Sequence, residues 1–340
     1  MIADKLPKVN LAYLPTPLEE APRLSGVLGG PRILIKRDDR TGLTFGGNKP
    51  RIFEYVFGDA LAQGCDVMIT PAGRQSNHLR EVSAAANRLG MKSAIVVFGP
   101  EGEGPPQGNL LLFHLLDAEI HYYATDGHDA YDDPALMAFT ESIRDDYRAR
   151  GHNPYIVHFA LRSGLLGSVA HVAAAEELAG QFEQMGVEPD YLYVPCGSGV
   201  TTSGFVLGLK HLGLRTRVVA VSLIYPGKQA TENIARYANG AAEELGLATR
   251  VSAEDFAVLN VYDSPGYGVV DAGVVEAIRL WAGLEGLLLD ATYNGRAMAA
   301  MIEEIRAGRL GQGQSVVLVH TGGLPALFSQ NRELLEVEGR

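Results

Sequence analysis

Along most of this chain, short apolar runs alternate with longer stretches in which apolar residues recur every three or four positions. ILIKRDD (Ile33 to Asp39) begins as a strand, and RIFEYVFGDALAQG carries helical spacing up to a stop at Gly64. DVMIT (Asp66 to Thr70) is again short and apolar. In the next segment Leu79, Val82, Ala86 and Leu89 share one helical face, with Ser76 placed to cap its start and Gly90 to follow its end. SAIVVFG predicts a strand, GNLLLFHLLDA a helix, EIHYY a strand, DPALMAFTESIRDDYRARG a charged-faced helix and PYIVHF a strand. The second half keeps the rhythm. Helices are predicted in SVAHVAAAEELAGQFEQMG, TTSGFVLGLKHLG, DAGVVEAIRLWAGLEG and NGRAMAAMIEEIRAG, and strands in YLYVPCG, RVVAVSLIY and SVVLVH. Such alternation implies βαβ units and parallel sheets. There is no repeat period and no low-complexity linker; GPEGEGPPQG (Gly99 to Gly108) is the one loop rich in Gly and Pro.

Size and composition narrow the picture. A chain of 340 residues suggests about two domains. With 46 % apolar and 20 % charged residues it can bury a full core. No apolar run reaches the ~20 residues of a membrane span, and the N-terminal stretch has no signal-peptide pattern. A formal net charge of −11 without a basic block argues against nucleic acid as a partner. Cys65 and Cys196, the two cysteines, give no disulfide framework, which fits a cytoplasmic protein. The nine histidines form no metal-binding spacing, so no metal is expected.

In open α/β sheets ligands bind at the carboxyl ends of strands, which directs attention to four strand-to-helix turns. The first is GGNK, ending in Lys49. A lysine at a helix start sits in positive potential, and burial there lowers its pKa as an amine nucleophile requires. The alternative is a solvated lysine on a glycine turn. The second is AGRQSNH (Ala72 to His78): Ser76 caps the following helix or also meets a ligand, Asn77 offers a donor and an acceptor, and His78 packs the helix or acts as a base. The third, PCGSGVTTSG (Pro195 to Gly204), can cradle a phosphate with backbone N–H groups and the Thr201 and Thr202 hydroxyls, although it is neither a Walker loop nor GxGxxG. The fourth is HTGG, where Thr321 satisfies its own loop or meets a ligand nitrogen. Together they suit one ligand with a phosphate, an electrophile for lysine and a ring heteroatom. Pyridoxal 5′-phosphate has all three.

The ordered motifs KRDDRTGLTFGGNKPR, QSNH, VPCGSGVTTSG, SPGYG, ATYNGRAMAAMI and HTGGLPALF resemble those of the D-cysteine desulfhydrase and 1-aminocyclopropane-1-carboxylate (ACC) deaminase family, from about Leu14 to Phe328. The resemblance implies the fold type II architecture of pyridoxal-phosphate enzymes: α/β, with two open, twisted, mainly parallel sheets flanked by helices. It implies a large cofactor-binding domain of residues 1–50 and 163–340, a small domain of residues 51–162, a cleft site between them, and a homodimer. Carried over by motif, Lys49 holds the cofactor as a Schiff base and later moves the Cα proton. Asn77 bonds the ring oxygen, Gly197, Ser198, Gly199, Val200 and Thr201 hold the phosphate, and Thr321 faces the ring nitrogen. Ser76, Asn77, His78, Tyr267 and Tyr293 line the small amino-acid substrate, with Ser76 and both tyrosines counted as catalytic. The implied activity is α,β-elimination from a β-substituted amino acid, D-cysteine first, to pyruvate and ammonia; the alternatives are L-cysteate or another β-substituted amino acid as substrate, β-replacement in a biosynthetic pathway, ACC deamination and, last, a non-catalytic binding module on the same fold.

Some positions depart from the family pattern. Asn294 stands where ACC deaminases carry a glutamate toward the ring nitrogen, which argues against cyclopropane ring opening. Ile52 replaces a lysine near the phosphate, leaving Arg51 as the nearby cation and the backbone loop as the main phosphate holder. Pro50 fixes φ directly after Lys49. Arg162 is a new cation, either for an anionic substrate group or simply at the surface.

Overall fold

The computed structural model describes residues 2–99, 105–125, 132–261, 268–330 and 334–335. In chain order the strands are β1 (Leu18–Glu20), β2 (Arg32–Lys36), β3 (Val67–Gly73), β4 (Lys92–Phe98), β5 (Glu119–Tyr123), β6 (Pro154–Ile156), β7 (Tyr191–Cys196), β8 (Arg217–Ser222), β9 (Phe256–Asn260) and β10 (Ser315–Val319). The helices are α1 (Pro22–Leu28), α2 (Lys49–Ala62), α3 (Asn77–Arg88), α4 (Gly108–Leu115), α5 (Pro134–Ala149), α6 (Arg162–Met185), α7 (Val200–His211), α8 (Gly227–Leu245), α9 (Ala272–Glu285), α10 (Asn294–Arg306) and α11 (Leu324–Leu327).

The strands form two sheets. One has the order β1-β2-β10-β7-β8-β9 and the other β5-β4-β3-β6. Every pairing is parallel except β1 with β2. Helices cover both faces, which is why β3 and β7 are buried along nearly their whole length and read as continuous apolar runs. The expected two-sheet α/β fold is the observed one. One core cluster joins α2, α6 and α7 to the inner face of the larger sheet, a second lies under α9 and α10, and a third fills the smaller sheet around Val67, Ile95 and Phe113.

Ser76 caps α3 as expected, accepting from the His78 and Leu79 N–H groups, and Gly90 follows the helix with φ +69°. Other details differ. The first predicted strand stops at Lys36, because Asp38–Arg40 turns into a 3₁₀ segment around a buried ion network. Helix α6 starts at Arg162, six residues before the predicted Ser168. Pro50 lies within the first turn of α2, where a missing N–H costs no hydrogen bond. Elements β1, α1, α8, β9 and α11 lie outside the sequence reading. Among the described residues no helix is long and apolar enough to cross a membrane.

Candidate active site

A cavity of about 610 Å³ opens where β3 and β7 end and where α2, α3 and α7 begin. That volume is in the range of small-molecule sites. The glycine turns explain how its walls meet. Gly47 and Gly322 bridge each other, and a Cβ on Gly322 (φ +88°) would lie 2.6 Å from Gly47 Cα. Only glycines allow backbones this close. The Asn48 N–H also donates to the Thr321 carbonyl at 3.2 Å, so the GGNK and HTGG turns are locked together.

Lys49 heads α2 and lines the cavity. Its Nζ sits 5.8 Å from the centre of the Tyr293 ring and has no hydrogen-bond or ion-pair partner among the described residues. Burial, and then the Arg80 guanidinium, lower its pKa to about 8, against the opposing pull of Asp290 and Glu81. Nucleophilic amine chemistry needs an amine of this kind.

Three side chains at the start of α3 face the same cavity. Asn77 Oδ1 accepts from Arg80 Nη1 at 2.8 Å and from Asn109 Nδ2 at 2.9 Å. With its oxygen so occupied, the Asn77 amide presents Nδ2 as donor to the cavity. Ser76 accepts helix N–H groups and keeps its own proton available. His78 Nε2 lies 3.0 Å from Thr70 Oγ1, whose proton is given to the Val157 carbonyl at 2.8 Å. The network therefore assigns the imidazole proton to Nε2 and leaves Nδ1 as acceptor. Burial first, then Lys49 and His158, push the His78 pKa down to about 3, so the ring is neutral. It packs on Phe53, with ring centroids 5.2 Å apart, as well as lining the cavity.

Gly197 to Thr201 form the opposite wall. Gly199 takes φ +97°, and no side chain caps α7, so the helix start turns its N–H groups outward as an anion site does. A Cβ on Gly197 would lie 3.1 Å from Ile224 Cδ1, and one on Gly199 would lie 3.2 Å from Ile234 Cγ1. Thr201 Oγ1 accepts from Asn48 Nδ2 at 2.7 Å, while the buried Asn48 Oδ1 has no hydrogen-bond partner.

Thr321 lines the cavity and Asn294 stands behind it. Asn294 Oδ1 accepts from the Thr321 N–H at 2.9 Å and from its hydroxyl at 3.3 Å, and Nδ2 donates to Gly322 O at 2.7 Å. The buried carboxylate of Asp290 accepts from the N–H groups of Thr292, Tyr293 and Asn294, fixing the start of α10.

The structure thus brings together Lys49, Ser76, Asn77, His78, Gly197, Ser198, Gly199, Val200, Thr201, Tyr293 and Thr321 on one cavity. Tyr267 lies outside the described residues. Ile52 touches the cavity, whereas Arg51 turns away into a buried network with Asp38, Glu177 and Thr16. Arg162 pairs with Asp59 and Glu244, each at 2.9 Å, so its surface reading holds. Sequence reasoning missed Asn48, Arg74 and Asp290. The first two sit inside the quoted turns and could have been found there; Asp290 carried no local signal.

The arrangement, a buried lysine and an uncapped helix start on one cavity between two mainly parallel sheets, suits an anionic ligand with an electrophile for the amine. The chain belongs to the pyridoxal-phosphate dependent enzyme family, whose model matches residues 9–322. It is 36 % identical over 337 residues to the 1-aminocyclopropane-1-carboxylate deaminase of Burkholderia cenocepacia, covering 97 % of this chain and 98 % of that one. The crystal structure of an ACC deaminase homologue superposes with a TM-score of 0.88 at 32 % identity, covering 99 % of this chain and 98 % of the other. Threonine deaminase isoform 2 of Solanum lycopersicum shares the fold, with a TM-score of 0.69 at 18 % identity and coverage of 99 % and 86 %. The residues fit the cofactor: an unpartnered lysine amine, an amide donor at Asn77, an uncapped glycine-led helix start and an orphaned Asn48 oxygen all face or adjoin one cavity.

Proposed function

We propose that this pyridoxal-phosphate enzyme is a lyase that deaminates a small amino acid by α,β-elimination, releasing a β-substituent and giving pyruvate and ammonia. D-cysteine, whose thiol leaves as sulfide, is the simplest substrate of that class. In this reading Lys49 would anchor the cofactor, Gly197 to Thr201 would hold its phosphate, Asn77 would donate to its ring oxygen and Thr321 would meet its ring nitrogen. When bound, the cofactor supplies an electron sink for the pair left at Cα. The Ser76 hydroxyl, whose oxygen already takes the His78 and Leu79 N–H groups, and the Asn77 N–H bind the substrate carboxylate. Lys49 Nζ would take the Cα proton. Its depressed pKa keeps a useful fraction unprotonated near neutrality. Neutral His78, its one ring proton given to Thr70, lines the pocket without adding charge. Tyr293, and Tyr267 by resemblance, wall the substrate side.

One observation carries the choice of elimination: among the described residues no Asp or Glu lines the cavity. A ring nitrogen met by a Thr321 hydroxyl bonded to Asn294 has no carboxylate to hold a proton on it. That favours departure of a good leaving group over opening of a carbon ring. ACC deamination is the second reading, favoured by the relative's 36 % identity. Incubation with D- and L-cysteine, other β-substituted amino acids and ACC separates the two. A three-carbon oxoacid with ammonia supports elimination, whereas a four-carbon oxoacid from ACC alone overturns it. The homodimer, the cytoplasmic setting and the division into residues 1–50 with 163–340 and residues 51–162 belong to the same proposal. Light scattering of the purified protein tests the dimer.

A further inference from the structure

The turn that opens α3 leaves one charge unexplained. The Ser76 N–H donates to the Gly73 carbonyl at 3.0 Å, so Arg74 and Gln75 form the corner of a tight turn. Gln75 is fully engaged: its Oε1 accepts from the Asn109 N–H at 2.9 Å, its Nε2 donates to Gln107 O at 3.1 Å, and its carbonyl accepts from Asn109 Nδ2 at 2.8 Å. The turn is therefore pinned to the start of α4. Arg74 is half-buried, lines the cavity, and has no hydrogen-bond or ion-pair partner among the described residues. The chain has 40 acidic against 29 basic residues, yet the described lining of this cavity offers two cations, Lys49 and Arg74, and no carboxylate. Lys49 is committed to the cofactor and the phosphate has its own glycine cradle. The α-carboxylate is met by Ser76 and the start of α3, so Arg74 is left over.

We infer that Arg74 is a specificity-determining residue that binds a tetrahedral oxyanion on the β-carbon of the substrate: a sulfonate, or a sulfate or phosphate ester. The inference rests on the elimination reading above and narrows its substrate class. A guanidinium offers several donors in a planar fork, which suits such an anion and has no neutral equivalent for a thiol. In the reaction the Cα–H bond breaks and its proton passes to Lys49 Nζ. The Cβ–X bond breaks and its electron pair leaves on X, as sulfite, sulfate or phosphate. Cβ then takes up a proton from Lys49 Nζ and water replaces nitrogen at Cα, giving pyruvate and ammonia.

The test compares kcat/KM for D- and L-cysteate and D- and L-O-phosphoserine with that for D- and L-cysteine and β-chloroalanine, in the cofactor-loaded enzyme and in Arg74→Gln and Arg74→Lys. The two anionic pairs tell sulfonate from phosphate. Wild type should prefer an anionic member, and Arg74→Gln should cut the anionic-to-neutral ratio about tenfold to a hundredfold, with Arg74→Lys between them. Calorimetric binding of 3-sulfopropanoate, which has no amine and cannot react, should weaken by a similar factor in Arg74→Gln. An unchanged ratio, or equal losses on anionic and neutral substrates, overturns the inference while elimination from the neutral substrates stands. Absence of pyruvate from every substrate sinks the elimination reading itself.

Discussion

Lys49 and Arg51 leave the first turn of α2 about 200° apart around the helix axis, and they enter opposite environments. Arg51 is closed in. It meets Asp38 and Glu177, and with Lys36 these make two cations and two carboxylates in a nearly dry pocket. Burial alone would raise the Asp38 pKa, but the Arg51 guanidinium, together with Lys36 and the Thr16 hydroxyl, offsets this and holds it low; Arg51 and Lys36 do the same for Glu177. Lys49, two residues earlier, faces a cavity with no acid in its described lining. A buried charge that is fully paired fixes position, because removing one partner strands the others. A buried charge without a partner is held ready for a ligand. The fixed arginine side holds the helix so that the lysine side stays aimed.

Breaking the lysine side should have the largest effect. Lys49→Ala should lower elimination by about 10⁴-fold and abolish the yellow, borohydride-reducible band of the loaded enzyme, read by absorbance; a retained reducible band would mean that another lysine holds the cofactor. Breaking the arginine side should act on stability instead. Arg51→Leu strands Asp38 and Glu177 and should cost about 3–5 kcal/mol in denaturant unfolding. Because both carboxyls are held below their ordinary range, the wild-type contribution is whole above their unfolded pKa values and is lost on acidification. The variant should therefore lose less than wild type between about pH 5 and pH 3.

Smaller effects sharpen the contrast. Gly322→Ala forces a Cβ to 2.6 Å from Gly47 Cα at φ +88°. It should cost about 1–3 kcal/mol and weaken cofactor retention on dialysis, since Thr321 and Asn48 move with that bridge. Cofactor uptake by the stripped protein should rise with pH and level off above about 8, the depressed Lys49 value, instead of climbing toward 10.5; a midpoint near 10.5 would show that the amine is solvated. Arg162→Gln removes two ion pairs, with Asp59 and Glu244, from an arginine that is 43 % exposed. It should cost under about 1 kcal/mol in thermal unfolding and leave substrate preference unchanged.

How far the sequence carried the reading depended on how local the signal was. Strands β3, β4, β7, β8 and β10 were legible because burial on both faces writes an apolar run into the chain. Helix α8 was passed over although Ile234, Tyr237, Ala238, Ala241 and Leu245 share a buried face set off from a polar side, so its signal was present in the chain. Strand β9 lies at the sheet edge and is only partly buried. In the cavity, Lys49, Ser76, Asn77 and the 197–201 loop stood out because each sits on a glycine-rich or capped turn. Arg74 stands in the same turn as Ser76 and was passed over, while Arg162 was considered as a possible anion partner in its place.

Local pattern along the chain set the alternation of strands and helices, the turns where backbones can meet closely, and the lysine at the head of α2. These depend on neighbours a few residues apart. Which of the arginines is neutralised was decided by the tertiary structure. Arg51 finds Glu177 across 126 residues and Arg162 finds Glu244 across 82, while Arg74 finds no acid among the described residues. Charge pairing at a few ångströms requires contacts that only the folded chain creates, so composition and spacing cannot say which cation is left for a substrate.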